Sequence, residues 1–151
     1  MRRFAPVAAL IVVLGLTQGI PSAGAAGSVK EHHIAMQVDQ NDPKVMDLAL
    51  KNAGNAVKYY KEHGEQVSIE IVAYGPGLHM LRADTSPVKD RIKQIAETTP
   101  AIKFSACANT KAAMESSEGR PITIVPQATV VPSGVVRLSQ LQEQGWSYIR
   151  P

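Results

Sequence analysis

Two periodicities take turns along the chain from His33 to Ile149. His33-Ile34-Ala35-Met36-Gln37-Val38 alternates large apolar with small or polar residues, and a repeat of two predicts a strand. Asp42-Pro43 then supplies an N-cap and a proline at the first helical position, and Val45, Leu48, Ala49, Asn52, Ala53, Ala56, Val57 and Tyr60 follow at helical spacing. That helix is expected to end near His63, with Gly64 as its stop. Val67 to Tyr74 is rich in β-formers and reads as a second strand closed by Gly75-Pro76-Gly77. A second helix is expected to open at Ser86-Pro87 and to carry Val88, Ile92 and Ile95 until Pro100 blocks it.

Ile102 to Ala106 predicts the third strand, followed by a short helix from Asn109 or Thr110 through Met114. Ala128 to Val131 predicts a fourth strand, cut off by Pro132-Ser133-Gly134. Val135, Leu138, Leu141 and Gln142 fit an amphipathic helix that Gly145 stops, and Trp146 to Ile149 makes a last short strand. Glu118 to Gln127, with Pro121 and Pro126, has no readable period. Strands that alternate with helices through short connections imply βαβ units. The expected fold is therefore α/β, a three-layer α/β/α sandwich with a mostly parallel sheet of about five strands.

The N-terminus follows a different pattern. Arg2 and Arg3 precede the apolar run Val7 to Leu16, and small residues lead up to Ala26, in the order of a secretory signal peptide. The competing reading is an uncleaved membrane anchor. The run is shorter than the roughly 20 residues a spanning helix needs, and Ala23-Gly24-Ala25 offers a peptidase site, so no stable membrane insertion is expected after cleavage. Residues 1–26 are set aside on this reading, and 27–151 form one domain that is periplasmic or secreted.

Removing Arg2 and Arg3 changes the charge picture. It leaves 14 basic against 13 acidic residues, a net charge of about +1. No basic stripe interleaved with aromatics remains, which argues against nucleic acid as a partner. With one cysteine, Cys107, the mature domain has no internal disulfide, so packing must stabilise it.

In open parallel sheets ligands bind beyond the carboxyl ends of the strands. The connections there are Asp39 to Asp42, Tyr74 to Leu81, Cys107 to Thr110 and Pro132 to Gly134. Gly75, Gly77, Ser133 and Gly134 let the backbone approach a ligand closely. Cys107 sits on this edge at a strand-to-helix turn, where unpaired N–H groups and the helix dipole favour thiolate. A solitary thiolate in an oxidising compartment would carry a persulfide, pair with another chain or oxidise to a sulfenate. The alternative is a buried Cys packed as a small apolar residue.

His79 would serve as acid or base if its loop meets that of Cys107; otherwise it is an ordinary loop histidine. Asn109 and Thr110 would bind an anionic sulfur species or act as plain N-caps. Arg137 would face an anion or lie on the surface. Leu78, Met80 and Leu81, and the Trp146-Ser147-Tyr148 segment, fit either oligomer contacts or core packing. His32 and His33 point to opposite faces of a strand, and no other spacing suggests zinc, so no metal is expected. Asp39-Gln40-Asn41-Asp42-Pro43 would repel a flavin phosphate. The chain has no Gly-x-Gly-x-x-Gly after the first strand, no Gly-Lys-Ser/Thr loop and no Gly-x-Ser-x-Gly elbow. No cofactor is expected.

Four runs also carry a family likeness: Val72-Ala73-Tyr74-Gly75-Pro76-Gly77, Phe104-Ser105-Ala106-Cys107-Ala108-Asn109-Thr110, Val131-Pro132-Ser133-Gly134-Val135-Val136-Arg137, and the ending Trp146-Ser147-Tyr148-Ile149-Arg150-Pro151. In this order they resemble the DsrE/DsrF-like family, and within it the small, stand-alone, often exported members. The resemblance runs from about Glu31 to Pro151. It implies a three-layer α/β/α fold and assembly into a homo-oligomer, a trimer or hexamer. In the sulfur-relay members a cysteine accepts sulfur as a persulfide and passes it on, and Cys107 is the residue that matches. Those members are cytoplasmic and work with dedicated partner subunits, whereas this chain reads as exported. The donor and acceptor proteins are therefore unknown, and the alternative is a non-catalytic binding or assembly module that keeps the fold.

Overall fold

The computed structural model describes residues 29–151; the expected signal peptide, residues 1–26, lies outside the described residues. The elements run β1 (Glu31–Val38), α1 (Pro43–Glu62), β2 (Gln66–Ala73), a 3-10 helix (Gly75–Leu81), α2 (Lys89–Thr98), β3 (Ile102–Cys107), α3 (Ala108–Glu118), β4 (Ala128–Val131), α4 (Gly134–Glu143) and β5 (Ser147–Ile149). The five strands form one sheet in the order β4-β3-β2-β1-β5, and every pairing is parallel.

The chain steps one strand at a time from β1 to β4 and then returns across the sheet to β5 beside β1. This return divides the helices. Met46, Ala49 and Leu50 of α1, Ile92 of α2 and Leu78, Met80 and Leu81 of the 3-10 helix bury against Ile34, Met36, Ile69, Ile71 and Phe104, with Met114 of α3 at the margin. Leu138 and Leu141 of α4 cover the opposite face, against Ala35 and Val72. The result is the expected three-layer α/β/α arrangement.

The start of α1 follows its sequence signal: Asp42 Oδ1 accepts the Lys44 N–H at 2.8 Å, and Pro43 opens the helix. Three other segments differ from expectation. The Tyr74 to Leu81 connection is no open loop, because Leu78, Met80 and Leu81 are completely buried and pack in the core. Helix α2 begins at Lys89 rather than at Ser86-Pro87, since the Ser86 hydroxyl donates to the Met80 carbonyl and accepts the Val88 N–H. Helix α3 runs past Met114 to Glu118, where Gly119 leaves the helix at φ 64°. Its polar last turn hides that length from an apolar count.

The unreadable stretch is a tether. Ala83 N–H donates to the Thr123 carbonyl at 2.8 Å and Val125 N–H to the Leu81 carbonyl at 2.9 Å, around an antiparallel bridge between Arg82 and Ile124. The Arg82 guanidinium, 1% exposed, is paired with Asp84 and Glu118. These carboxylates hold its pKa above the usual arginine range and their own below the usual carboxylate range.

Candidate functional site

Cys107 ends β3, and its neighbour β4 ends at Val131 in register with it. The helices that follow these two adjacent strands leave to opposite faces of the sheet, α3 on one side and α4 on the other. Such a divergence is where open parallel sheets place ligands. Here it brings two helix N-termini to one thiol.

Cys107 is itself the N-cap of α3. Its Sγ accepts the Thr110 N–H at 3.4 Å, so Asn109 and Thr110 lie inside the first turn rather than capping it. Burial raises the thiol pKa. The Thr110 hydroxyl and the N–H groups of Gly134, Thr110 and Asn109 outweigh that and hold it below the ordinary thiol value. The thiol is enclosed, at 4% exposed.

The surrounding loops are fastened to each other. Gly75, at φ 52°, donates its N–H to Thr110 Oγ1 at 2.9 Å, which leaves the Thr110 proton free to point at sulfur. Asn109 N–H donates to the Pro132 carbonyl at 3.3 Å. Ser133 caps α4 by accepting the Val136 N–H at 3.5 Å. Gly134 packs so closely on Tyr74 that an added Cβ would lie 2.7 Å from the Tyr74 Cβ. Gly77 lies against β1, where a Cβ would be 2.2 Å from the Val38 carbonyl oxygen. Of the residues singled out in the sequence, Thr110, Asn109, Gly134 and, through Thr110, Gly75 thus form the shell of Cys107.

His79 stands apart from that shell. Its Nδ1 is hydrogen-bonded to Thr85 Oγ1 at 2.9 Å. It lines an open groove of about 630 Å³ with Gly75, Pro76, Asn109, Thr110 and Met114, so the groove shares Gly75, Asn109 and Thr110 with the thiol's shell. A smaller cleft of about 180 Å³ lies on the α4 side, between Val131, Ser133, Val136 and Arg137. Among the described residues, no Asp, Glu, Lys or Arg lines the larger groove, which suits it to a ligand with a substantial apolar part. Among the described residues, no group of three or more His, Cys, Asp or Glu side chains is placed to hold a metal ion.

The α4 face holds a second polar arrangement that the motif reading missed. Glu70, in the middle of β2, is 4% exposed. It accepts from the Ser105 hydroxyl at 2.6 Å and from two Arg137 nitrogens at 2.7 and 2.6 Å. Burial raises the Glu70 pKa, but Arg137 and Ser105 bring it below the usual carboxylate value. Arg137 therefore faces a carboxylate of its own chain. The clue lay in β2 itself, since a charge inside the apolar run Val67 to Ala73 demands a partner.

The sequence profile of the DsrE/DsrF-like family matches residues 34–151. Among solved structures, the chain is similar to MTH1491, a protein of unknown function from Methanobacterium thermoautotrophicum. It shares 30% identity with that protein at a TM-score of 0.68, over 80% of this chain and 99% of that one. No functionally curated protein matches the chain. The family match begins in β1 and takes in every later element, including the Cys107 turn and the return through α4 to β5, so the chain belongs to the DsrE/DsrF-like family.

Proposed function

We propose that the protein is an exported, periplasmic homo-oligomer, a trimer or hexamer, whose Cys107 accepts sulfane sulfur as a persulfide and relays it. The observation that carries this reading is the shell of donors around a thiol with a lowered pKa. The Cys107 thiolate attacks the terminal sulfur of a donor persulfide, RS–SH. A bond forms between Sγ and that sulfur, the donor S–S bond breaks, and RS⁻ leaves with the electron pair. A second thiolate attacks the outer sulfur of Cys107–S–SH, and Cys107 leaves as thiolate. Sulfur changes carrier with no net oxidant or reductant. The N–H groups and the Thr110 hydroxyl stabilise Cys107 both as attacking and as leaving thiolate.

Assembly is supported by the family and by the sheet edges. Strand β5 is exposed along its length, with Tyr148 at 41% and Ile149 at 38%, and Val130 of β4 is 48% exposed. Unpaired edges of this kind are commonly covered by another chain. Export is supported by the signal-like order of residues 1–26.

A second reading, a non-catalytic binding or assembly module, is favoured by the 4% exposure of Cys107. The two readings differ in one measurement: intact mass of protein purified without reductant, before and after polysulfide and then after excess thiol. The relay reading expects a gain of one sulfur atom on Cys107, reversed by thiol and abolished in Cys107→Ser. A gain retained in Cys107→Ser, or no gain in a thiol that resists alkylation until denatured, gives precedence to the binding module.

A further inference from the structure

Glu70 lies beneath the site and touches both elements that form it. Through Ser105 it holds β3 two residues before Cys107, on the same face of the strand. Through Arg137 it holds the first turn of α4, one turn below Gly134. Bidentate pairing of a guanidinium with a carboxylate fixes direction as well as distance; here the Glu70 carboxylate is buried while the Arg137 side chain is about a third exposed. Tyr74 limits α4 from the other side, at Gly134. The separation between the Gly134 N–H and the Cys107 sulfur is set by the pairing of Val131 with Cys107, by the Asn109 N–H bond to the Pro132 carbonyl and by the placement of α4. Beside the apolar packing of Leu138 and Leu141 on Ala35 and Val72, the Glu70–Arg137 pair is the polar contact that ties the first turn of α4 to β2.

We propose that Glu70 and Arg137 act as positioning residues for Cys107, a clamp that holds the N-terminus of α4 against the end of β3 and thereby sets how nucleophilic the thiol is. The clamp deepens the relay reading and rests on it for its biological meaning. Its physical content concerns only ionisation of the thiol.

The charges of the pair complicate a simple deletion, because loss of Arg137 alone removes a cation and leaves Glu70 buried and unpaired. The double variant Glu70→Gln with Arg137→Met removes both charges together. The net charge near sulfur is then unchanged, no buried carboxylate is left without its counter-charge, and the amide carbonyl introduced by Glu70→Gln can still accept the Ser105 hydroxyl. What remains is the lost orientation of α4.

The measurement is a pH titration of thiolate ultraviolet absorbance on the full chain, each variant read as a difference from the same variant carrying Cys107→Ser. It needs no reagent to reach the enclosed thiol, and the single cysteine makes the signal unambiguous. The clamp predicts a thiol pKa raised by about one unit in the folded double variant, a tenfold change in the ratio of thiol to thiolate at any given pH. Arg137→Lys, which keeps the charge but loses the planar two-pronged contact, should shift it in the same direction by less. Circular dichroism establishes which variants are folded. An unchanged thiol pKa in the folded double variant overturns the clamp; if that variant does not fold, an unchanged value in Arg137→Lys does so. If the wild-type protein fails to load sulfur while the pKa shift is present, the relay reading falls and the clamp stands.

Discussion

The two faces of the sheet are built to different rules. On one, Ile34, Met36, Val38, Ile69, Ile71, Phe104 and Ala106 meet α1, α2 and the 3-10 helix in a core of apolar side chains. On the other, a single helix covers Ala35 and Val72, and beside them in register lie Gln37, Glu70 and Ser105, all buried and polar. Gln37 accepts from the Tyr148 hydroxyl, and Glu70 from Ser105 and Arg137. The first face supplies stability by removing apolar area from water. The second is directional: hydrogen bonds fix where α4 begins, and α4 begins at the thiol. Cys107 projects on the polar face, in line with Ser105, and draws its electrostatics from that side as well as from α3.

The largest effect that would sharpen this contrast is expected on the apolar face. Phe104→Ala should cost about 3 to 5 kcal/mol of stability in chemical denaturation, from lost burial plus the cavity left behind. In the fraction that stays folded, the thiol pKa should not move. A shifted pKa there would break the division of labour between the faces.

A smaller effect is expected where the polar face meets the site. Gly134→Ala would press a Cβ onto Tyr74 and displace the start of α4, costing about 1 to 2 kcal/mol after the better helix propensity of Ala is counted. Unlike Phe104→Ala, it should raise the thiol pKa, because the Gly134 N–H moves away from sulfur. The same absorbance titration reads this, and an unchanged pKa would show that α4 contributes nothing to the thiolate.

The smallest effect is in pH dependence. The Cys107 pKa is lowered on folding, so the folded state releases the thiol proton before the unfolded chain does. The stabilisation is fully present above the unfolded value of about 8.5 and is lost as pH falls through the folded pKa. Wild type should therefore gain stability relative to Cys107→Ser as pH rises from neutral, and level off above about 8.5. Parallel stability curves for the two proteins would mean that the thiol is not ionised more readily in the fold.

How much of this was legible in the chain varies by element. Asp42-Pro43 announces α1 because capping is decided within three residues. The 3-10 helix hides its role, because Gly75-Pro76-Gly77 carries the signature of an open turn while Leu78, Met80 and Leu81 are buried by α1 and the sheet. The segment before β4 has no period of its own, since its backbone is satisfied by Leu81 and Ala83 rather than by a regular neighbour. His79 and Cys107 both occupy the carboxyl edge, yet the His79 ring is held by Thr85. Edge membership follows from alternation of strands and helices, whereas proximity along the edge does not.

The sequence by itself determined the five strands and the existence of the four α-helices, the parallel α/β class, the family and the placement of Cys107 at a strand-to-helix turn. All of these rest on periodicity, capping and short motifs, which act over a few residues at a time. The tertiary structure alone decided the strand order, the return of α4 across the opposite face, and with it the meeting of Gly134 with Cys107 and of Arg137 with Glu70. Those contacts join residues far apart in the chain. Nothing local specifies such partners; they are chosen when the sheet closes and each buried polar group must find one.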